Sequence, residues 1–137
     1  MGLDGGGGGG GILGASNSFT GPAQALELVN RFCYAYSGTV AVQTSETTLL
    51  EFTTGNYTAV VGVQASYPSN NDDDMKWSLY LNDGLVQRWM NTGSNQPNQP
   101  PNPMLAIIPP YTAVKVSCQA SGSGRDQIVS ITGRIYR

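Results

Sequence analysis

The acidic cluster Asp72-Asp73-Asp74 could bind a calcium ion, because Ca²⁺ is held by several carboxylate and carbonyl oxygens. All of those oxygens must point at one centre, whereas consecutive strand residues point to opposite faces of a sheet. The cluster follows Pro68 and three polar residues, a composition typical of an exposed loop. The EF-hand pattern is absent. We therefore predict a solvated loop and no bound metal, with a weak calcium site as the alternative.

Aromatic side chains could stack on sugar rings, as they do in carbohydrate-binding β-sandwiches, and six are candidates: Tyr57, Tyr67, Trp77, Tyr80, Trp89 and Tyr111. Trp77 alternates in phase with Leu79, which favours a place in the core. Trp89 shares its phase with both Leu85 and Gln87, so its position is left open. We predict that most of these rings pack in the core or at an interface, with sugar binding as the alternative.

Composition removes several classes of function. Histidine is absent from the 137 residues, which excludes histidine acid–base catalysis, histidine-assisted nucleophiles and histidine metal ligands. Charged residues are 12% of the chain, against roughly 25% in an average domain, and the net charge is −2. Nucleic-acid binding needs a basic surface, and no apolar run approaches the roughly 18 residues of a membrane span. We predict a protein that is not an enzyme, with no cofactor and no nucleic-acid or membrane partner.

The two cysteines, Cys33 and Cys118, are too few for a disulfide framework. We expect two reduced and largely buried thiols, because free cysteine behaves as a small hydrophobic residue. One disulfide between them is the alternative, since the sequence does not fix the distance between their Cα atoms.

The elements that position these residues are strands. From Ser37 onward apolar and polar residues alternate, with β-branched and aromatic residues enriched, and turn signals separate seven or eight such runs. Asn82-Asp83-Gly84 predicts a hairpin whose type I′ turn uses Asp-Gly. This pattern predicts an all-β sandwich or barrel from about Ser37 to Arg137. Its predicted core includes Val61, Val63, Leu79, Val116 and Ile131.

Two segments are less regular. Residues 22–36 could begin a helix at Pro22, but the alternation within 32–36 favours a strand or extended structure. The proline-rich residues 92–103 predict an extended crossover before a short apolar run at 104–108. A long crossover inside a sandwich fits a jelly roll better than a simple meander.

The N-terminal segment is a glycine-rich arm. We assign residues 1–21 to this arm and residues 22–137 to the sandwich. Polyglycine alone would be a flexible coil, so an ordered arm would need a partner to hold it. We predict that neighbouring subunits bind the arm through Gly5, Gly6, Gly7, Gly8, Gly9, Gly10, Gly11, Ile12, Leu13 and Phe19. A flexible tail is the alternative.

Three segments carry a resemblance to known proteins: MGLDGGGGGGGILG, IIPPYTAVKVSCQA and IVSITGRIYR. Together they resemble the small jelly-roll minor capsid and decoration proteins of tailed phages and related double-stranded DNA viruses. The resemblance implies a jelly-roll β-sandwich of about eight antiparallel strands, a place in the virion capsid, and other capsid subunits as partners in a homo-oligomer. It brings no catalytic residues. The alternative is a receptor- or glycan-binding β-sandwich module of a fibre or spike tip.

Overall fold

The computed structural model describes residues 25–66, 74–91, 103–122 and 124–137. Within these ranges there is no helix, and hence none long and apolar enough to cross a membrane. The described residues form ten strands, which we number in chain order as β1 (Glu27–Val29), β2 (Phe32–Tyr36), β3 (Val40–Val42), β4 (Thr47–Thr53), β5 (Thr58–Ser66), β6 (Met75–Leu81), β7 (Gly84–Asn91), β8 (Met104–Ile108), β9 (Ala113–Ala120) and β10 (Arg125–Tyr136).

The strands form two antiparallel sheets, as the alternation of the sequence predicts. The four-stranded sheet has the order β4-β9-β6-β7. The six-stranded sheet has the order β1-β2-β10-β5-β8, and its sixth strand, β3, also pairs with β10. The long strand β10 is therefore bordered on one side by β5 and on the other by β2 and β3. The prediction of an all-β protein is confirmed.

One hydrophobic core draws its side chains from both sheets. The longer inner strands supply most of its residues, and the five predicted core residues are all buried: Val61, Val63, Leu79, Val116 and Ile131. The core begins earlier than the predicted boundary at Ser37, because Cys33 and Ala35 on β2 are buried in it. A turn at Asn30, whose φ is 56°, joins β1 to β2. The strand interpretation of 32–36 is confirmed.

Both cysteines are free and buried, which confirms the expected pair of reduced thiols. Cys33 lies on β2 of the six-stranded sheet, and Cys118 lies on β9 of the four-stranded sheet. Burial raises the pKa of the Cys118 thiol to about 12, and it raises the pKa of Cys33 as well. Both sulfurs therefore stay protonated and unreactive at neutral pH.

The β6–β7 hairpin turns one residue earlier than the sequence predicted. Its central residues are Asn82 and Asp83, with φ of 51° and 65°, and Gly84 already pairs with Leu81 as the first residue of β7. Asn and Asp tolerate this left-handed conformation better than most residues. The Asn82 side chain also has a specific partner, because its Oδ1 accepts a hydrogen bond of 2.9 Å from the backbone N–H of Ala113. That bond ties the turn to β9.

A β-bulge explains why Leu49 is buried although the alternation of the sequence would expose it. In the pairing of β4 with β9, Leu50 lies opposite Val116 and Thr48 lies opposite Ser117, so the register skips Leu49. Strict alternation would place Leu49 on the outer face, opposite to Leu50. In the structure both leucines are fully buried, because the bulge re-aims one of them.

Two crossings between the sheets are hydrogen-bonded to each other. Residues 54–57 lead from β4 to β5, and residues 109–112 lead from β8 to β9. The N–H of Thr54 donates to the carbonyl of Thr112 at 3.0 Å, and the N–H of Thr112 donates to Oγ1 of Thr54 at 2.9 Å. Each of the two segments thus joins the two sheets.

Candidate interaction surface

The residues predicted from the sequence to bind partners, from Gly5 to Phe19, lie outside the described residues. The same is true of Asp72 and Asp73, while Asp74 is exposed just before β6. Across the ranges that the structure describes, no group of three His, Cys, Asp or Glu residues is placed to hold a metal ion. Among the described residues, the outer faces of the two sheets are the largest surfaces to consider for a functional site.

The aromatic residues proposed for sugar stacking do not share one surface. Trp77 and Trp89 are cross-strand neighbours in the core, with ring centroids 6.0 Å apart and an interplanar angle of 17°. Tyr57 is also buried, whereas Tyr111 is exposed at the other crossing. The prediction that most of these rings pack in the core or at an interface is confirmed for Trp77 and Tyr57, and Trp89, whose position the sequence left open, is buried in the core as well. Tyr67 lies outside the described residues.

The outer face of the four-stranded sheet is polar on β6 and β9, where its polar groups bind each other, whereas the edge strand β7 exposes Leu85, Val86 and Met90. The carboxylate of Glu46 accepts a hydrogen bond from the hydroxyl of Ser117 and a second one, of 2.6 Å, from the hydroxyl of Tyr80. The ammonium group of Lys115 lies 4.7 Å from the centre of the Tyr80 ring, a cation–π contact. The hydrogen bonds from Ser117 and Tyr80 lower the pKa of Glu46. This network stabilises the sheet and leaves few polar groups for a ligand.

Glu46→Gln is expected to remove part of the dependence of stability on pH. Because the pKa of Glu46 is lower in the folded chain, its contribution is complete above the unfolded pKa of about 4.3 and is lost as pH falls through the folded pKa. Urea unfolding of both chains at neutral pH and near pH 3 measures this effect. The wild type should be the more stable at neutral pH, and the difference should shrink in acid.

Glu51→Gln is the matched control for that experiment, because Glu51 is an exposed carboxylate on the same sheet. Its effect should be smaller than that of Glu46→Gln at neutral pH. Equal effects of the two substitutions at both pH values would contradict the role assigned to the Glu46 hydrogen bonds.

The outer face of the six-stranded sheet is apolar. Cross-strand pairing places Val29, Phe32, Arg134, Val60 and Ile107 in one row across five strands. The next row contains Glu27, Tyr34, Thr132, Gly62 and Leu105. We use the name apolar face for the exposed hydrophobic residues of these two rows together with Tyr36, which lies next to them on β2. The six residues are Val29, Phe32, Tyr36, Val60, Leu105 and Ile107. The exposed fractions of these six residues run from 39% to 77%.

Few charges interrupt the apolar face. The two charged strand residues in its rows are Glu27 and Arg134, which have opposite signs. The guanidinium of Arg134 lies 5.5 Å from the centre of the Phe32 ring, and the rings of Tyr34 and Tyr36 stack at 5.1 Å. Both contacts hold aromatic rings of β2 in place on this face.

The sequence analysis missed the apolar face, although one signal for it was present. The run 104–108 is apolar in both phases of the strand, so one phase had to be exposed or covered by another chain. In β2, likewise, Phe32 and Tyr36 alternate with the buried Cys33 and Ala35. Alternation alone distinguishes the two faces of each strand but does not say which strands are neighbours.

Comparison with known proteins gives no match: no protein-family model fits this sequence, and neither a curated protein nor a solved structure is significantly similar to it. The function is therefore argued from the geometry of the chain itself.

Proposed function

We propose that this protein is a structural subunit of a virus particle, a capsid-associated decoration or minor capsid protein that works by binding other protein chains. The apolar face carries the proposal. A fully exposed aromatic side chain presents roughly 150–250 Å² and an aliphatic one less, so the six residues at 39–77% exposure present several hundred Å². The largest apolar patch on a typical monomer covers about 300–600 Å² and is often functional.

We also propose that the two sheets are those of a jelly roll. If the three-residue strands β1 and β3 are set aside, eight strands remain. They pair first with last (β2 with β10), second with seventh (β4 with β9), third with sixth (β5 with β8) and fourth with fifth (β6 with β7). This nested pairing is what results when a long antiparallel hairpin rolls up into two sheets. The hydrogen bonds between the Thr54 and Thr112 crossings support the same arrangement.

The glycine-rich arm has a defined place in this proposal, namely as the anchor of the subunit to the capsid. Seven consecutive glycines can pass through a gap too narrow for any Cβ atom. Ordering them costs about 1–2 kcal/mol per residue in backbone entropy, so anchoring requires backbone hydrogen bonds to the partner. Burial of Ile12, Leu13 and Phe19 would add apolar contacts.

The test is incorporation into particles. Purified particles should contain the full chain in a fixed ratio to the major capsid protein. A chain that lacks residues 1–14 should melt at the same temperature, because the described core needs none of them, but should be missing from the particles. Absence of the full chain from particles would contradict the proposed function. Incorporation of the shortened chain at full occupancy would contradict the anchoring role alone.

Receptor or glycan binding is the second candidate, and one observation favours it. Phe32, Tyr34 and Tyr36 form an aromatic row on β2, and the last two rings are stacked. Aromatic faces of this kind can bind sugar rings. Tyrosine fluorescence during titration with oligosaccharides tests it, with Tyr36→Ala as the variant. A saturable change that Tyr36→Ala abolishes would favour this function over the capsid role.

A further inference from the structure

We infer that the apolar face binds a second copy of this chain, so that the protein assembles as a symmetric pair through the six-stranded sheet. The inference rests on the proposed function, because it names the partner of the surface that carries it. The first argument is area. The face presents several hundred Å² of exposed side chain, the same order as the roughly 800 Å² that a standard interface buries on each partner. The face can thus form the main part of a contact between two copies.

The second argument is self-complementarity, which a two-fold interface demands. Consider a two-fold axis that lies in the plane of the contact, runs perpendicular to the strands, and passes between the row that contains Phe32 and the row that contains Tyr34. Such an axis places each row of one copy opposite the other row of the second copy. Ile107 then lies opposite Leu105 of the second copy, and Phe32 lies opposite Tyr34 of the second copy. Aromatic or apolar residues therefore lie opposite each other on β2 and β8, while on the other strands Val60 lies opposite Gly62 and Val29 lies opposite Glu27 of the second copy. Two sheets can pack in this way at roughly 10 Å, the spacing of a sandwich core.

The third argument is charge. In this arrangement Arg134 lies opposite the uncharged Thr132, so the two guanidinium groups do not face each other. Glu27 of one copy and Arg134 of the other fall in the same row, two strands apart, about 10 Å in projection. Neither residue forms an ion pair within the described part of the chain. Because the two charges have opposite signs, the face has no net charge that would repel a second copy, and Glu27 of one copy attracts Arg134 of the other.

The four-stranded sheet is the reason to expect a closed dimer and not a larger assembly. The outer face of the four-stranded sheet carries the Glu46 network, whose hydrogen bonds are made within the chain. Among the described strands the six-stranded sheet carries the larger set of exposed apolar residues, while the four-stranded sheet exposes Leu85, Val86 and Met90 on its edge strand β7. A two-fold contact of one surface with itself gives a closed dimer, not a filament.

The experiment is sedimentation equilibrium of the full chain. The wild type should have twice the 14.5 kDa mass of a single chain at micromolar concentration. Leu105→Glu should shift the mass to that of one chain, with a dissociation constant raised at least about 100-fold, because it places a carboxylate opposite Ile107 of the second copy. Leu105 is 77% exposed, so the variant should fold, which the melting temperature checks.

Gln87→Glu is the matched control, since it adds the same charge at an exposed position of the four-stranded sheet and should leave the dimer intact. A further variant tests the charges: Arg134→Glu should weaken the dimer, and Arg134→Glu combined with Glu27→Arg should restore it. A monomeric wild type, or a dimer that survives Leu105→Glu, would overturn the inference. So would a monomer that dimerises only after residues 1–21 are removed, because the arm would then be the occupant.

These outcomes separate the inference from the proposed function. A monomeric chain that is nevertheless present in purified particles would overturn the pairing and keep the capsid role. A chain that pairs through the apolar face but is absent from particles would keep the pairing and overturn the capsid role.

Discussion

Gly133→Ala is expected to destabilise the protein by more than about 3 kcal/mol, well above the typical effect of a single substitution. A Cβ atom at Gly133 would lie 2.1 Å from the carbonyl oxygen of Val60 and 2.6 Å from the Cα atom of Val61. Both atoms belong to the backbone of the neighbouring strand β5, so no side chain can rotate away. The six-stranded sheet would have to open between β10 and β5. Guanidinium unfolding measures the loss.

Gly62→Ala is the matched control for this prediction. Gly62 lies on β5, where an added Cβ would be 3.5 Å from the Cβ of Pro103, an ordinary van der Waals distance. Alanine reduces the entropy of the unfolded chain, so this variant should be as stable as the wild type or more stable by about 0.5–1 kcal/mol. If Gly133→Ala and Gly62→Ala have the same stability, the close approach of β10 and β5 is not a constraint on sequence.

Val116→Asp is expected to prevent folding. Val116 is fully buried on β9, an inner strand of the four-stranded sheet, between Leu50 and Leu79 of the neighbouring strands. An aspartate there would place an unpaired carboxylate in the core, at a cost of more than about 4 kcal/mol, comparable to the whole stability of many small domains. The expected result is loss of soluble protein, or a chain with no cooperative melting transition by circular dichroism.

Two variants separate the charge from the lost packing. Val116→Ala removes two methyl groups and should cost only about 2 kcal/mol, with cooperative melting retained. Ala113→Asp adds the same carboxylate at an exposed position of the same strand and should change stability by less than about 0.5 kcal/mol. A soluble Val116→Asp chain that melts cooperatively would show that this position is not part of the core.

Much of the fold follows from the sequence because strand periodicity is a local property. The alternation around Val61 and Val63 predicts their burial correctly, and the same holds for Val116 and Ile131. Local patterns fail where pairing between strands decides. Leu49 is buried through a bulge that depends on the register of β4 against β9. The turn at Asn82 shifts by one residue because its side chain bonds a third strand.

The interaction surface was less predictable for a related reason. Phe32 and Ile107 are far apart in the chain, and each alone is an ordinary exposed residue of a strand. They belong to one surface because β10 and β5 lie between their strands in a fixed register. Strand order in a sheet is set by long-range packing, which a single sequence does not display. The predicted binding role of the arm, from Gly5 to Phe19, stays a prediction.

The position of β10 has a consequence for how the protein is made. It is the last of the ten described strands to emerge from the ribosome, yet it lies between β2 and β5. While the chain is being synthesised, β2 and β5 therefore have no shared neighbour until residues 125–136 arrive. Long-range pairings of this kind form slowly and leave nascent chains open to aggregation. The six-stranded sheet is therefore completed only after translation has passed β10, and a ribosome that stalls shortly before it would release a chain without its central strand.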